Sequence, residues 1–335
     1  MLLRFLLFLL LMPFSATAQL SPEVSSVVER LSVDTDFAEN AISPQSQVTI
    51  DNKFRSLAGI ATNGELFYVA STGDAVLKEC AAAELVERKS DSLTSLFTKY
   101  LDHTNQFDVL MAGKIVTTSH AAQLFRRVAW QKEKRLRREY YERTTSGDEL
   151  VEIKVLFGRE FATRWSVKEA DSVMNQMMAH ALASDDISVR ILNDILEINN
   201  YKTSDYQRIK HFSRKYQTPQ ILAALAAYKN PADISFLKLH IDRAFIAISL
   251  FPDATLLPVL KSRMLNSFAD PQYQDAIASF KNAEARATLE TISQKLVATH
   301  HDESDRAEKM LRLYNIIEKK NCRLYEPLLE RLQKY

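Results

Sequence analysis

The side chains in this sequence best suited to holding a metal ion are His300-His301-Asp302-Glu303. Imidazole and carboxylate groups are ordinary ligands of zinc and related ions. Adjacent side chains on a helix point about 100° apart, so neighbouring histidines seldom bind one ion from within a helix. Asp302 also precedes a segment with helical periodicity, where its carboxylate is expected to cap the helix. We therefore predict no metal site, and these four residues are the alternative if an ion is bound.

The most strongly charged stretch runs from Arg126 to Arg143, with eight basic residues against three acidic ones. Such a surplus can dock an anionic partner or a polysaccharide. The same spacing also allows ion pairs three and four positions apart on a solvated helix face, and both interpretations stay open. The residues proposed to contact a partner are Arg126, Arg127, Arg135, Arg137, Arg138, Tyr140 and Tyr141.

Signatures of enzymes are absent from the sequence: it contains no G-x-S-x-G, no P-loop and no dinucleotide-binding glycine motif. Six glycines in the whole chain leave little material for a phosphate-binding loop. The paired carboxylates Asp185-Asp186 are expected at a helix start, where acids are favourable. The enzymatic alternative is a helical hydrolase or lyase in the cell envelope, metal-assisted at His300 to Glu303 or with a site beside Trp165.

The elements that position these residues are expected to be helices. Strong helix formers dominate the composition, and the formal net charge is only +1. This balance gives no indication of nucleic acid as a partner. No cofactor is predicted.

Helix start signals recur along the chain. Four pairs place a capping side chain before a proline, namely Ser21-Pro22, Thr218-Pro219, Asn230-Pro231 and Asp270-Pro271. Thr62 with Glu65, and Ser166 with Glu169, have the spacing of a capping box. The sequence therefore predicts many short helices rather than a few long ones.

Two stretches of the chain resemble HEAT repeats. The first joins Ile60–Leu66 to Asp74–Leu85 and Leu93–Phe97, and the second joins Tyr228–Ile234 to Phe251–Asp253 and Leu257–Leu260. Segments around Asp102–Thr104, Gly113–Val116 with Ser119, and Tyr206–Lys210 ahead of Ala223–Leu225 are similar to segments of exported bacterial HEAT-repeat proteins. The resemblance implies a protein-interaction scaffold and transfers no catalytic residue. The spacing of the repeats drifts, which predicts an irregular array.

The predicted fold is an all-α, irregular HEAT-like solenoid of stacked helix pairs. Its helical blocks are expected over residues 19–143 and 166–335, with an irregular connector over 144–165. Val151, Ile153, Val155 and Phe157 alternate with polar residues in that connector, which allows a short strand there. The segment from Phe107 to Ser119 also departs from the repeat pattern, and functional contacts are expected beside it.

Residues 1–18 have the features of a secretory signal peptide: Arg4, an apolar run from Phe5 to Met12, and a small-residue ending at Ala18. Because Gln19 and not Cys follows the predicted cut, we expect a periplasmic or secreted protein that is not a lipoprotein. No span of a membrane is predicted in the mature chain. Cys80 and Cys322 are expected to be buried thiols rather than a disulfide.

These features together predict a non-enzymatic, exported interaction protein. It is expected to bind a protein or a cell-envelope component through its helical surface.

Overall fold

The chain is mostly helical in the computed structural model, as the composition predicts. The model describes residues 20–38, 54–102, 106–111, 114–145, 147, 162–198, 201–299 and 302–334. The chain forms two compact units, which are Met1–Ala181 and Leu182–Tyr335. The all-α expectation is confirmed at the level of secondary structure.

The first unit contains seven helices and one hairpin in its described part. They are α1 (Pro22–Ala38), α2 (54–60), α3 (Asn63–Thr72), α4 (Ala75–Glu87), α5 (Leu93–Leu101), β1 (Gln106–Met111), β2 (Lys114–Ser119), α6 (His120–Thr144) and α7 (Val167–Ala183). Helix α3 packs on α4 and α5, and α6 packs on α4 and α5. Leu66, Leu85, Phe97 and Phe125 are fully buried between these helices.

The starts of α3 and α4 are fixed by side chains close in sequence. Thr62 and Glu65 form the predicted capping box, and Asp74 accepts from the backbone N–H of Leu77 at 2.8 Å. Gly73 sits in the tight turn between the two helices, where a Cβ atom would lie 2.9 Å from the Val69 carbonyl oxygen. A side chain at this position would therefore force the helices apart.

Side chains of later elements satisfy carbonyl groups near the ends of earlier helices, which have no partner within their own helix. The Tyr100 hydroxyl donates to Ala70 O at 2.7 Å, and the Trp165 indole donates to Val86 O at 2.8 Å. The same contact recurs in the second unit, where Tyr325 donates to Ala278 O at 2.9 Å. These buried aromatic residues therefore fix the positions of later elements against the ends of earlier helices.

Gln106–Met111 and Lys114–Ser119 pair as the two antiparallel strands of a β-hairpin, where the sequence predicted an irregular segment. Phe107 pairs with Thr118, and Met111 pairs with Lys114. β2 runs directly into α6, because Ser119 ends the strand and caps the helix by accepting from the N–H of Ala122 at 3.2 Å. The strand predicted around Val151 to Phe157 lies outside the described residues.

The second unit consists of short helices separated by tight turns. They are α8 (Val189–Glu197), α9 (Tyr206–Tyr216), α10 (Pro219–Ala226), α11 (Ile234–Leu239), α12 (Phe245–Leu250), α13 (Leu257–Ser262), α14 (Met264–Ser267), α15 (Pro271–Ala278), α16 (Ala283–Thr299), α17 (Glu303–Glu318) and α18 (Glu326–Leu332). Single 3₁₀ turns cover Thr203–Asp205, Pro231–Asp233, Ile241–Arg243, Ala254–Leu256 and Arg323–Tyr325.

One connection recurs in this unit: a residue with a left-handed backbone stands immediately before a helix-capping position. Gln217 precedes Thr218, and Lys229 precedes Asn230. Lys281 and Asn321 have the same conformation before Asn282 and Cys322. Glycine usually occupies such positions. None of these four residues is a glycine, so the sequence carried no sign of the recurring connection.

Helices of this unit pack on one another in chain order. α10 contacts α8 and α12, α12 contacts α15, and α15 contacts α17. From α10 onward the apolar faces form one core, which also takes in α16 and includes Leu222, Ile248, Tyr273, Leu289 and Leu313. No short helix of this set buries its apolar face alone, so the packing of neighbours stabilises the unit.

A polar network joins two successive turns. The Tyr206 hydroxyl donates to Asp233 at 2.8 Å and lies 3.0 Å from Lys210 Nζ, while Asn230 donates to Tyr206 at 2.8 Å. Asp233 is buried, and its hydrogen bond with Lys210 raises the pKa of that lysine. Because each of these groups has a hydrogen-bond partner within the network, we interpret the network as structural.

Several sequence expectations need correction. Asp185 and Asp186 lie in a turn three residues ahead of α8, and not at its start. There, a hydrogen bond from Arg208 lowers the pKa of Asp185. The two units divide at Ala181, and most of the predicted connector over 144–165 lies outside the described residues. Cys80 and Cys322 are thiols, as expected, but are half-buried.

Candidate functional site on helix α6

Helix α6 has two halves with different surroundings. The buried side chains all belong to residues 120–131, and none of residues 132–144 is buried. The first half is held by Phe125 and Val128 in the core, both fully buried. The second half presents most of its circumference to solvent, so it is the part of α6 available for contacts.

Three predicted contact residues are paired within α6 itself. Arg135 bonds Glu139 at 2.7 Å, Arg137 bonds Glu133 at 2.9 Å, and Arg138 bonds Glu142 at 2.8 Å. All three pairs are four positions apart and partly exposed. The ion-pair interpretation of this stretch therefore describes these arginines.

Four further basic residues of the stretch reach other elements, while Arg143 donates to Glu139 O within α6. Arg127 lies 3.4 Å from Glu79, Lys132 lies 2.8 Å from Asp171, and Lys134 lies 3.8 Å from Glu87. Arg126 donates to Thr118 of the hairpin at 3.3 Å. The basic surplus seen in the sequence is thus largely balanced by acids from α4 and α7.

Exposed apolar side chains lie along one side of α6 from residue 130 onward. Trp130, Leu136 and Tyr140 are 40%, 39% and 58% exposed. The Arg137 guanidinium lies over the Trp130 ring at 5.4 Å, and Tyr140 contacts Tyr141 in an edge-to-face pair at 5.6 Å. Together with Glu133 they occupy an arc of about 140° around the helix axis, at 100° per residue. We call this surface the α6 aromatic face: Trp130, Glu133, Leu136, Arg137, Tyr140 and Tyr141.

A buried polar cluster anchors the start of α6. His120 Nδ1 lies 2.6 Å from Glu79 Oε1, and both residues are less than 10% exposed. The ring of Phe107 stacks on His120 at 4.3 Å, so the hairpin covers the pair. Tyr100 packs on the other side at 5.2 Å, where burial and the charge of Glu79 raise its pKa above the usual range. Enclosed in this way, the pair fixes the position of α6.

Sequence reasoning missed this cluster. Glu79 lies within an Ala-rich helix, 41 positions before His120, so no local pattern connects the two. The detectable signal was the position of Glu79 next to the small residues Cys80 to Ala83, which predict close packing, because buried carboxylates are nearly always paired.

The structure describes only some of the residues named for the metal and enzyme alternatives. His300 and His301 lie outside the described residues, and Asp302 caps α17 by accepting from Asp305 N–H at 2.8 Å, as predicted. Among the residues described, no group of three or more His, Cys, Asp or Glu side chains is placed to share an ion. Trp165 is buried and bonded to Val86, so it offers no exposed platform.

No helix within the described part of the chain combines the length and apolar character needed to cross a membrane.

No known protein family, curated protein or solved structure matches this chain.

Proposed function

We propose that this is a non-enzymatic, exported interaction protein built as an irregular HEAT-like array of stacked helix pairs. It binds a protein or a cell-envelope component, and the α6 aromatic face is the contact surface. The observation that carries the proposal is the exposure of Trp130, near the end of the packed half of α6, and of Tyr140 in the exposed half.

The packing of α6 supports this role because it presents the face rigidly. The Glu79 and His120 pair and the buried Phe125 hold the first half of the helix. A helix that continues from such an anchor presents its exposed side chains in a fixed arrangement. Little conformational entropy is then lost when a partner binds.

The residue types on the face also fit binding. Tryptophan, tyrosine and arginine dominate the energetics of protein interfaces, because each buries a large area and makes directed contacts. Trp130 and Arg137 already stack on each other, and Tyr140 is held against Tyr141. Each pair restricts its side chains to one orientation before any partner arrives.

The alternation of helices in the second unit supports the array. Contacts from α8 to α10, α12, α15 and α17 follow chain order. Repeat proteins with such nearest-neighbour packing commonly act as binding scaffolds.

Affinity capture from the cell-envelope fraction tests the proposal. Arg137→Ala and Arg138→Ala form a matched pair, since both arginines are 46% exposed and each bonds one glutamate four positions away. Only Arg137 lies on the α6 aromatic face. Trp130→Ala and Arg137→Ala should each reduce the captured partner at least tenfold, an effect of about 1.4 kcal/mol or more.

Arg138→Ala should capture the partner as the wild type does, and all variants should keep the wild-type helical circular dichroism. Truncating Arg135, Arg137 and Arg138 together should resemble Arg137→Ala alone. Capture that is unaffected by Trp130→Ala and Arg137→Ala would remove the α6 aromatic face from the proposal.

A further inference from the structure

The two most exposed large apolar side chains in the described part of the chain both lie in the second unit. Leu239, at the end of α11, is 77% exposed, and Leu265, in α14, is 73% exposed. The next is Leu311 in α17, at 60%. One exposed leucine is ordinary on a protein surface, so the position of the first two relative to each other decides whether they form a site.

An exposed ion pair joins the two segments that carry these leucines. Asp242, in the 3₁₀ turn after α11, lies 3.2 Å from Arg263, which immediately precedes α14. The two side chains are 64% and 45% exposed, so the ion pair lies on the surface. Each leucine stands within three positions of this pair, which places both on one edge of the second unit. We call this surface the leucine edge: Lys238, Leu239, Asp242, Arg243, Arg263 and Leu265.

The backbone that carries each leucine is held by the core. Leu237 and Ile241, on either side of the first leucine, are buried. Met264 and Phe268, on either side of the second, are partly buried and pack against the same core. The two leucines therefore protrude from a packed surface.

The charges beside the leucines are mainly positive. Between residues 234 and 269 the sequence has four basic and two acidic side chains. Arg243 is exposed and forms no ion pair with any residue that the structure describes. Lys238 is also exposed, and the nearby Asp253 uses its carboxylate to cap the 3₁₀ turn that follows it. Since Asp242 is already bonded within the edge, the surface offers free positive charge to a partner.

A bilayer surface suits this arrangement better than a folded partner does. Protruding apolar side chains enter a membrane interface without a matching cavity, whereas a protein must offer a packed pocket for each of them. Cations beside the inserted side chains are attracted to acidic lipid headgroups. The aliphatic stems of lysine and arginine can lie along the apolar region while their charges stay in water.

We propose that the leucine edge docks the protein on an anionic lipid surface. Leu239 and Leu265 insert below the headgroups, and Lys238 and Arg243 lie among the phosphates. Because α11 and α14 have only six and four residues, the contact is shallow and peripheral. This surface is separate from the α6 aromatic face, so the inference goes beyond the proposed function.

The test is sedimentation of the protein, purified after export, with lipid vesicles. One set contains equal parts of phosphatidylglycerol and phosphatidylcholine, and the other contains phosphatidylcholine alone. We expect binding to the acidic vesicles that is about tenfold stronger than to the neutral ones and weaker at high salt. Leu239→Ala and Leu265→Ala should each weaken binding about fivefold, because fewer carbon atoms leave water. Arg243→Ala should weaken binding to the acidic vesicles by about fivefold as well.

Two matched variants control for apolar area and for charge. Leu311→Ala truncates a leucine that is 60% exposed on α17, and Arg214→Ala removes an exposed cation from α9. Both should bind the acidic vesicles as the wild type does. Because Leu239 and Leu265 are exposed, their replacement by alanine should leave the helical circular dichroism and the urea midpoint unchanged.

Three results would overturn the inference: no binding of the wild type to acidic vesicles, equal binding to acidic and neutral vesicles, or equal binding by the wild type and both leucine variants. Capture of an envelope protein that depends on Leu239, without vesicle binding, would also overturn it in favour of a protein partner. Vesicle binding by Trp130→Ala should match the wild type. Failure of the α6 aromatic face in the capture experiment therefore leaves this inference standing.

Discussion

At the scale of single residues, Lys229 and Lys281 adopt a backbone conformation that lysine reaches only at a cost. Their φ angles are 51° and 52°, in the left-handed region that glycine enters freely. Both side chains are exposed. Lys229→Gly and Lys281→Gly should therefore each raise the free energy of unfolding by about 0.5–1 kcal/mol, measured by chemical denaturation.

The control for this prediction is Lys89, which has a φ of 58° but carries a structural contact. Its Nζ lies 2.5 Å from Glu169 Oε1 and also donates to Arg164 O. Lys89→Gly should gain less than the other two variants because it loses these bonds. Equal destabilisation in all three glycine variants would show that the left-handed backbone stores no strain here.

Glu65 predicts a pH dependence of stability. Hydrogen bonds from the backbone of Thr62 and Ser21 lower the pKa of this carboxyl to about 2. Because the folded-state pKa is lowered, the ionised carboxylate stabilises the fold at pH values above its ordinary pKa near 4.5. This stabilisation is lost as the pH falls toward 2. The stability difference between the wild type and Glu65→Gln should thus be full at neutral pH and narrow between pH 4.5 and 2. A difference independent of pH would contradict the role assigned to Glu65.

The capping residues could be predicted from sequence because their partners are near in the chain. Thr62 bonds Glu65, and Asp302 bonds Asp305, each across three positions. The left-handed lysines could not be predicted, because nothing in the type of residue marks the conformation. Tertiary packing of the helix pairs imposes it.

At the scale of elements, the junction of the hairpin with α6 depends on the buried pair of Glu79 and His120. Removing one member of a buried, hydrogen-bonded pair leaves the other short of a partner and typically costs about 1–3 kcal/mol. Glu79→Ala and His120→Ala should each destabilise the protein by that order. The double variant should cost clearly less than the two single effects added together.

A double-mutant cycle by urea denaturation measures this coupling. Arg138→Ala, which breaks only an exposed ion pair with Glu142, should change stability by about 0.5 kcal/mol or less. Strictly additive effects of Glu79→Ala and His120→Ala would contradict the pairing.

The hairpin itself was missed at sequence level for a physical reason. Its second strand contains Ile115, Val116, Thr117 and Thr118, which are β-branched. A run this short does not distinguish a strand from a buried helix segment by periodicity. Pairing with residues 106–111 decides the outcome, and that pairing is not visible in either strand alone.

At the scale of the whole molecule, helical content followed from composition, whereas the packing of α7 did not. The first unit includes most of α7, which bonds α5 and α6 through long-range contacts. Lys132 with Asp171, and Thr94 with Gln176, are separated by 39 and 82 positions. Contacts at such distances leave no local pattern.

The sequence predicted the location of the candidate site but not the chemical character of its exposed side chains. The stretch from Arg126 to Tyr141 was selected for its charge, and the arginines of that stretch are mostly engaged in ion pairs. The feature left exposed is aromatic: Trp130, absent from the predicted contacts, and Tyr140, included among them. Which charges remain free for a partner depends on the acids that neighbouring helices supply.

The most direct test of binding through the α6 aromatic face is site-specific photocrosslinking in the cell-envelope fraction. A benzophenone amino acid at Tyr140, 58% exposed on the face, is compared with the same group at Tyr68, 42% exposed on α3. We predict a discrete crosslinked adduct from position 140 and none from position 68. Adducts from position 68 alone, or from neither position, would contradict the account.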